Sequence, residues 1–227
     1  MINENYSDKR NRKTWCNLSP EGNFFGKFPD KCRNHRILSA KRLGTNTCRD
    51  AAFIQKIAAS LLGADLIVMT SPTYVMHATG AMKSLLDHLA YLWMPHRPAP
   101  ELFTKRAVII TQCLGTGARS SARDIKHSLS WWGISEIEIF TGRLINNMLW
   151  ENLTEKKRVN LEKKIKHLSE KLSAIDYKTP AKIKAITKIK FLSCRILHKA
   201  DPEYLDGKYW AERGWLAKNR PWKKERT

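Results

Sequence analysis

The stretch from Ala64 to Lys83 constrains the fold more than any other part of the chain. Leu66 to Thr70 is apolar and partly β-branched, short enough for a strand and without the alternation of a half-exposed one. Such a run suits a strand buried on both faces, as in a parallel sheet covered by helices. Ser71-Pro72-Thr73 is expected to stop it, since proline has no donor for a ladder and fixes its own φ. The next segment has apolar residues at helical spacing, Met82, Leu85, Leu86, Leu89, Ala90 and Trp93. Strand, polar loop and helix in that order place a ligand at the carboxyl ends of the strands of an open α/β sheet. The hydroxyls, backbone amides and aromatic ring of this loop suit a flat heterocycle with a polar edge.

The pattern recurs downstream. Arg106 to Thr111 is a second buried-type strand, and it empties into Gln112-Cys-Leu-Gly-Thr-Gly117. A helix follows with Ala118, Ala122, Ile125, Leu129 and Trp132 on one face, ending at Gly133. Glycines at such a point let the backbone approach a ligand closely. Ile134 to Phe140 alternates like a half-exposed outer strand, and Leu153, Leu161, Ile165, Leu168 and Leu172 mark a long helix. Upstream, Asp50 to Leu62 reads as a helix with Gly63 at its end. The prediction is an α/β domain with parallel strands near 65–70, 106–111 and 135–140 and helices on both faces.

Ser71-Pro72-Thr73-Tyr74, followed by Gly80-Ala-Met-Lys83 and Asp87, resembles the flavin-ring loop and helix of flavodoxin-like NAD(P)H-dependent FMN reductases. That family writes the region roughly as S-P-x-Y, then G-x-x-K and an Asp. The Gly115-Thr116-Gly117 loop resembles the family's second ring loop, and Trp131-Trp132-Gly133-Ile134 its helix end. Asp206-Gly-Lys-Tyr-Trp210 and Gly214-Trp215-Leu216 resemble the C-terminal extension of some of these oxidoreductases. The match is loose before Cys48. Arg36 to Thr47 carries Ser39, Lys41, Arg42, Thr45, Asn46 and Thr47 as in a phosphate loop, but Leu38 stands where the family has glycine.

The resemblance implies a flavodoxin-like fold, bound FMN, and NADPH or NADH as co-substrate. Hydride then passes through the flavin to a small acceptor such as a quinone or free flavin. It assigns Ser71, Pro72, Thr73 and Tyr74 to one edge of the ring and Cys113, Gly115, Thr116 and Gly117 to the other. No catalytic acid–base residue and no metal ligand is implied, and no activating base for the Cys113 thiol is evident. His77, at the turn into a helix, is read as capping or packing. An atypical or truncated phosphate loop predicts FMN binding weaker than in relatives with the full loop.

The rest of the chain divides into an irregular segment 1–35, the flavodoxin-like domain 36–175, and a basic helical and aromatic extension 176–227. The net charge of +20 is concentrated in the flanks, with +6 in residues 1–50, +3 in 51–150 and +11 in 151–227. The Pro-rich loop Met94–Pro100 offers His96 and Arg97 to an anionic partner, and its rim is placed to cover the ring. Beyond Pro180 a basic amphipathic helix carries Ile183, Ile186, Ile189, Phe191 and Ile196. Packing of this helix and the aromatic tail in a homodimer is expected ahead of peripheral contact with a membrane surface. Five cysteines without a CxxC pair do not form a disulfide framework, and no apolar run is long enough for a span or signal, which predicts a cytoplasmic protein. Two other readings remain. One is a flavodoxin-like interaction protein without flavin. The other, a basic nucleic-acid-binding protein, lacks any recognition motif with interleaved aromatics.

Overall fold

The computed structural model describes residues 36–38, 51–143 and 153–223. The segment 1–35 and the candidate phosphate-loop residues Ser39, Lys41, Arg42, Thr45, Asn46 and Thr47 lie outside the described residues. Elements follow in the order β1 (Arg36–Leu38), α1 (Ala51–Gly63), β2 (Leu66–Tyr74), β3 (His77–Ala78) and α2 (Gly80–His88). They continue with β4 (Arg106–Cys113), α3 (Ala118–Trp131), β5 (Glu136–Arg143), α4 (Glu155–Ser173), α5 (Ala185–Ala200) and α6 (Leu205–Glu212). The main sheet has the order β1-β2-β4-β5 with every neighbour parallel, and β3 folds back antiparallel on the end of β2.

Alternate residues of the central strands feed two separate cores, as the strand period requires. Ile67, Met69, Ala107 and Ile109 pack with Ile54, Ile57 and Leu61 of α1, Met82, Leu85 and Leu86 of α2, and Ile125 and Leu129 of α3. Leu66, Val68, Val108, Ile110 and Phe140 pack with Ile165, Leu168 and Leu172 of α4. The uninterrupted apolar runs of β2 and β4 thus face helices on both sides. At about 1.5–3 kcal/mol per fully buried Leu, Ile or Val, these two layers are the main favourable term for the domain.

Three expectations need correction. Pro72 does not end β2, which continues to Tyr74 and pairs in register with β4 as far as Pro72 opposite Gln112. Strand β1 covers only Ile67 to Met69, so the far end of β2 has a free edge on that side among the described residues, where a residue without a donor is tolerated. The second helix stops at His88 rather than Trp93, and a 3-10 turn, Ala90–Leu92, follows. In β5, Ile139 is partly exposed while Phe140 is buried, so the outer strand does not present one clean apolar face.

The C-terminal extension is part of the same packed body. Phe191 and Cys194 of α5, Trp210 of α6, and Trp215 join Met94 and Phe103 in a third apolar cluster. Phe191 stacks on Trp210 with centroids 4.7 Å apart and meets Trp215 edge-on at 5.7 Å. At the foot of the sheet, where β4 and β5 begin, Arg106 pairs with Glu136 at 2.7 Å and donates to the Thr179 carbonyl at 2.9 Å. These bonds carry the linker between α4 and α5 across the strand starts. Among the described residues, no helix is long and apolar enough to cross a membrane.

Candidate functional site

The candidate site lies at the carboxyl ends of β2 and β4, where two loops meet. The first is a tight hairpin. β2 and β3 pair as Thr73 opposite Ala78 and Tyr74 opposite His77, leaving Val75 and Met76 as a two-residue turn. Both have positive φ, 49° and 70°. Such a pair matches the twist of a hairpin but is normally filled by Asn-Gly, and a β-branched residue there is strained. Val75 is 93% exposed, so no packing of its side chain compensates.

The hairpin is held from beneath. The Asp124 carboxylate of α3 accepts from Nδ1 of His77 at 3.1 Å and from the Ala78 amide at 3.0 Å. Ser71, fully buried, donates to the Pro72 carbonyl at 2.8 Å and accepts from the Thr79 amide at 3.2 Å. Thr79 in turn caps α2 by accepting from the Met82 amide. The hydroxyl of Ser71 is therefore committed to shaping the hairpin. That of Thr73 is not: its oxygen is buried and has no hydrogen-bond partner among the described residues.

The second loop, Leu114 to Gly117, leads from β4 into α3. Gly117 is the residue before the first turn of α3, at φ 98°, a conformation that needs glycine. A Cβ at Gly117 would stand 2.8 Å from the Met76 Cα and 3.0 Å from Thr73 Cγ2. The hairpin thus rests on the space that the missing side chain leaves, and this contact brings Thr73 and Gly117 together. Gly117 supplies no side-chain cap, so the first amides of α3 have none of the usual side-chain acceptors.

On the far side of this loop a cleft of about 430 Å³ separates it from the end of β5. Cys113, Gly115, Thr116 and Gly117 form one wall, Thr141 and Gly142 the other, and Arg119, Arg143 and Lys164 bring three positive charges to the rim. Cys113 is buried at the end of β4, its thiol 3.9 Å from the Gly142 carbonyl. Tyr74 is largely exposed. The ring-loop residues therefore divide between two places. Ser71, Pro72, Thr73 and Tyr74 belong to the hairpin, whereas Cys113, Gly115 and Thr116 face the cleft, with Gly117 touching both.

Sequence reasoning missed the basic rim, because Arg119, Arg143 and Lys164 come from three elements and share no motif. It also missed Asp124, whose only sequence signal is its place two turns into a helix that follows a glycine loop. His96 and Arg97 do not reach the site. α2 runs back along the sheet and delivers the Pro-rich loop to the opposite end, where Met94 donates to the Trp131 carbonyl. There the anion they meet is the chain's own Asp206, at 3.0 Å and 3.2 Å. The loop covers the aromatic cluster and not the site.

The residues present are compatible with the edge of a flavin ring: the first amides of α3 carry no side-chain cap, and the buried Thr73 hydroxyl, without a partner among the described residues, lies beside Gly117, whose open side the hairpin already fills. Three comparisons bear on family. The family model of NADPH-dependent FMN reductases matches residues 30–142. Among solved structures, an apo NADH:FMN oxidoreductase (EMOB) is similar at 17% identity and TM-score 0.43, covering 59% of this chain and 67% of that one. An azoreductase from Bacillus anthracis str. Sterne is similar at 12% identity and TM-score 0.42, covering 55% and 63%. The Trp repressor binding protein from Bacillus subtilis is similar at 14% and 0.41, covering 55% and 78%. The chain thus spans about two thirds of the length of the first two, and these distant likenesses carry no functional statement. No curated protein matches the chain. The matched residues run from β1 into β5 and so contain both loops, which makes the sheet domain of this chain similar to the NADPH-dependent FMN reductases, flavin oxidoreductases with FMN as cofactor and NAD(P)H as co-substrate.

Proposed function

We propose that the chain passes hydride from NADPH or NADH through FMN to a small acceptor such as a quinone or free flavin, in the cytoplasm. The observation that carries this reading is the unpartnered Thr73 hydroxyl beside Gly117, at the carboxyl ends of the strands of a parallel sheet, where open α/β folds take their ligands. Bound FMN supplies the ring that takes up and releases the hydride, so no acid–base side chain is needed. The part of the protein is to hold and orient. Thr73 offers a hydroxyl to a ring heteroatom, and backbone amides at Gly115 to Gly117 offer donors to the ring's polar edge. Asp124, through His77 and Ala78, sets the position of the hairpin and hence of Thr73. The rim of Arg119, Arg143 and Lys164 gives a dinucleotide phosphate opposite charge beside the second loop. Exposed Tyr74, Val75, Met76 and Leu114 supply an apolar border for a planar acceptor.

Thr73→Val tests the reading with two opposed readouts. A buried hydroxyl without a partner destabilises by about 1–3 kcal/mol, so its removal should stabilise the flavin-free protein. Losing a hydrogen bond of about 1 kcal/mol should weaken FMN binding roughly fivefold. Fluorescence quenching on FMN titration and urea denaturation measure the two effects. Higher stability with unchanged FMN affinity would remove Thr73 from the site. No saturable FMN binding by the wild type would favour an interaction protein that has lost its flavin.

A further inference from the structure

Helix α5 is apolar on two opposite sides. Thr187, Phe191, Cys194 and His198 are buried on one side, Phe191 and Cys194 within the third cluster, His198 against Trp210 and Thr187 against the Ser135 hydroxyl. On the opposite side Ile186, Ile189, Leu192, Ile196 and Leu197 are between 43% and 70% exposed. At 100° per residue these five fall within one arc, which is turned away from the packed face and also holds the exposed Ser193, its hydroxyl bonded back to the Ile189 carbonyl. Isolated exposed apolar residues need no explanation, but five isoleucines and leucines gathered on one side of a helix do.

The charges around this face indicate what covers it. From Tyr177 to Ala200 the sequence holds no Asp or Glu, against six lysines and one arginine. Two of these cations are used internally: Lys190 donates to Ser130 at 2.7 Å over the Trp131 ring, and Arg195 donates to the Leu216 and Ala217 carbonyls. Lys182, Lys184, Lys188 and Lys199 remain exposed, with Lys188 and Lys199 along one border of the apolar arc. The nearest carboxylates in sequence, Asp201 and Glu203, lie past the helix end, and Glu203 is paired with Lys208 at 3.5 Å. A second copy meeting this face by two-fold symmetry would set lysines against lysines with no acid on either helix. A surface that combines an apolar interior with negative charge at its edge fits both properties at once.

We propose that α5 docks this protein on an anionic lipid bilayer, its isoleucine and leucine face entering the headgroup region and its lysines meeting the lipid phosphates. The contact is peripheral and reversible, and it does not depend on flavin binding.

The full-length chain is sedimented with vesicles of phosphatidylglycerol and phosphatidylcholine, and with vesicles of phosphatidylcholine alone. Binding is expected to the first, about tenfold or more weaker to the second, and released by raised salt. Ile189→Glu and Ile196→Glu, each on a solvent-facing position, should abolish binding with near-UV circular dichroism unchanged. Replacing Lys188 and Lys199 together by Gln should weaken it by about twenty-fivefold, at roughly fivefold per charge near the surface. Failure to sediment with either vesicle, or equal binding to both, overturns the proposal. So does a dimer by light scattering that Ile189→Glu converts to monomer without vesicle binding, which assigns the face to a second copy.

Discussion

His198 shows how far burial governs a single side chain in this protein. It packs against the third cluster with its ring 4.8 Å from that of Trp210, and its Nε2 has no hydrogen-bond partner among the described residues. Burial pushes its pKa below the usual histidine value, and the Asp206 carboxylate and a backbone hydrogen bond at Pro95 oppose this, while His96 adds to it. The folded value lies below the unfolded one, so the unfolded chain binds more protons as pH falls. The stabilising contribution is complete above about pH 6.5 and is lost as pH drops through the folded value. Thermal denaturation on going from about pH 7 to 5 should therefore show a fall in midpoint that His198→Phe reduces. An equal fall in wild type and variant would place the acid sensitivity elsewhere. Buried Cys194, its pKa raised to about 11 by burial, is correspondingly inert as a thiolate near neutrality.

At the scale of elements, the hairpin between β2 and β3 breaks a local rule. Two consecutive non-glycine residues with positive φ are held there, one of them β-branched and exposed. Such strain persists where surrounding contacts over-determine it, here the Asp124 bonds and the Gly117 contact, and it gathers at binding sites. Val75→Asn should relieve it. Because the Val75 side chain buries almost nothing, no packing is lost, and a gain of about 1 kcal/mol in urea denaturation is expected. No gain would mean that the turn is relaxed as it stands. The Ser71–Pro72 segment reads as a strand stop by composition because local propensity favours a break. Seven aligned partners on β4 outweigh that preference and carry the strand on to Tyr74.

At the scale of the whole molecule, the extension and the sheet domain share one interface through the Pro-rich loop. Asp206 sits between His96 and Arg97, the Tyr209 hydroxyl donates to the Pro98 carbonyl at 2.9 Å, and Trp210 Nε1 donates to the His96 carbonyl at 2.8 Å. Trp210 is fully buried at the centre of this interface. Trp210→Ala should destabilise by about 3–5 kcal/mol. Unfolding followed by far-UV circular dichroism and by tryptophan fluorescence should coincide in the wild type, since both cores then melt together. Separate transitions would make the extension an independent unit.

What the sequence determined by itself was the class of fold and the position of its loops. The apolar runs at Leu66–Thr70 and Arg106–Thr111 require burial on both sides, and the 3.6-residue spacing of the intervening helices supplies the cover. Glycine at position 117 was legible as a loop residue for the same reason, because a turn of that kind leaves a composition signal. Only tertiary structure decided which polar atoms are already used. Ser71 and Thr73 look alike in sequence, yet Ser71 is bound to Pro72 and Thr79 while Thr73 is left without a partner. His96 and Arg97 looked free for an external anion until Asp206, more than a hundred residues away, took them. The apolar residues of α5 likewise share one periodic pattern, and the fold alone sets Phe191 inside and Ile189 outside. Periodicity records how much surface must be buried, whereas partner identity depends on contacts between distant residues that no local pattern encodes.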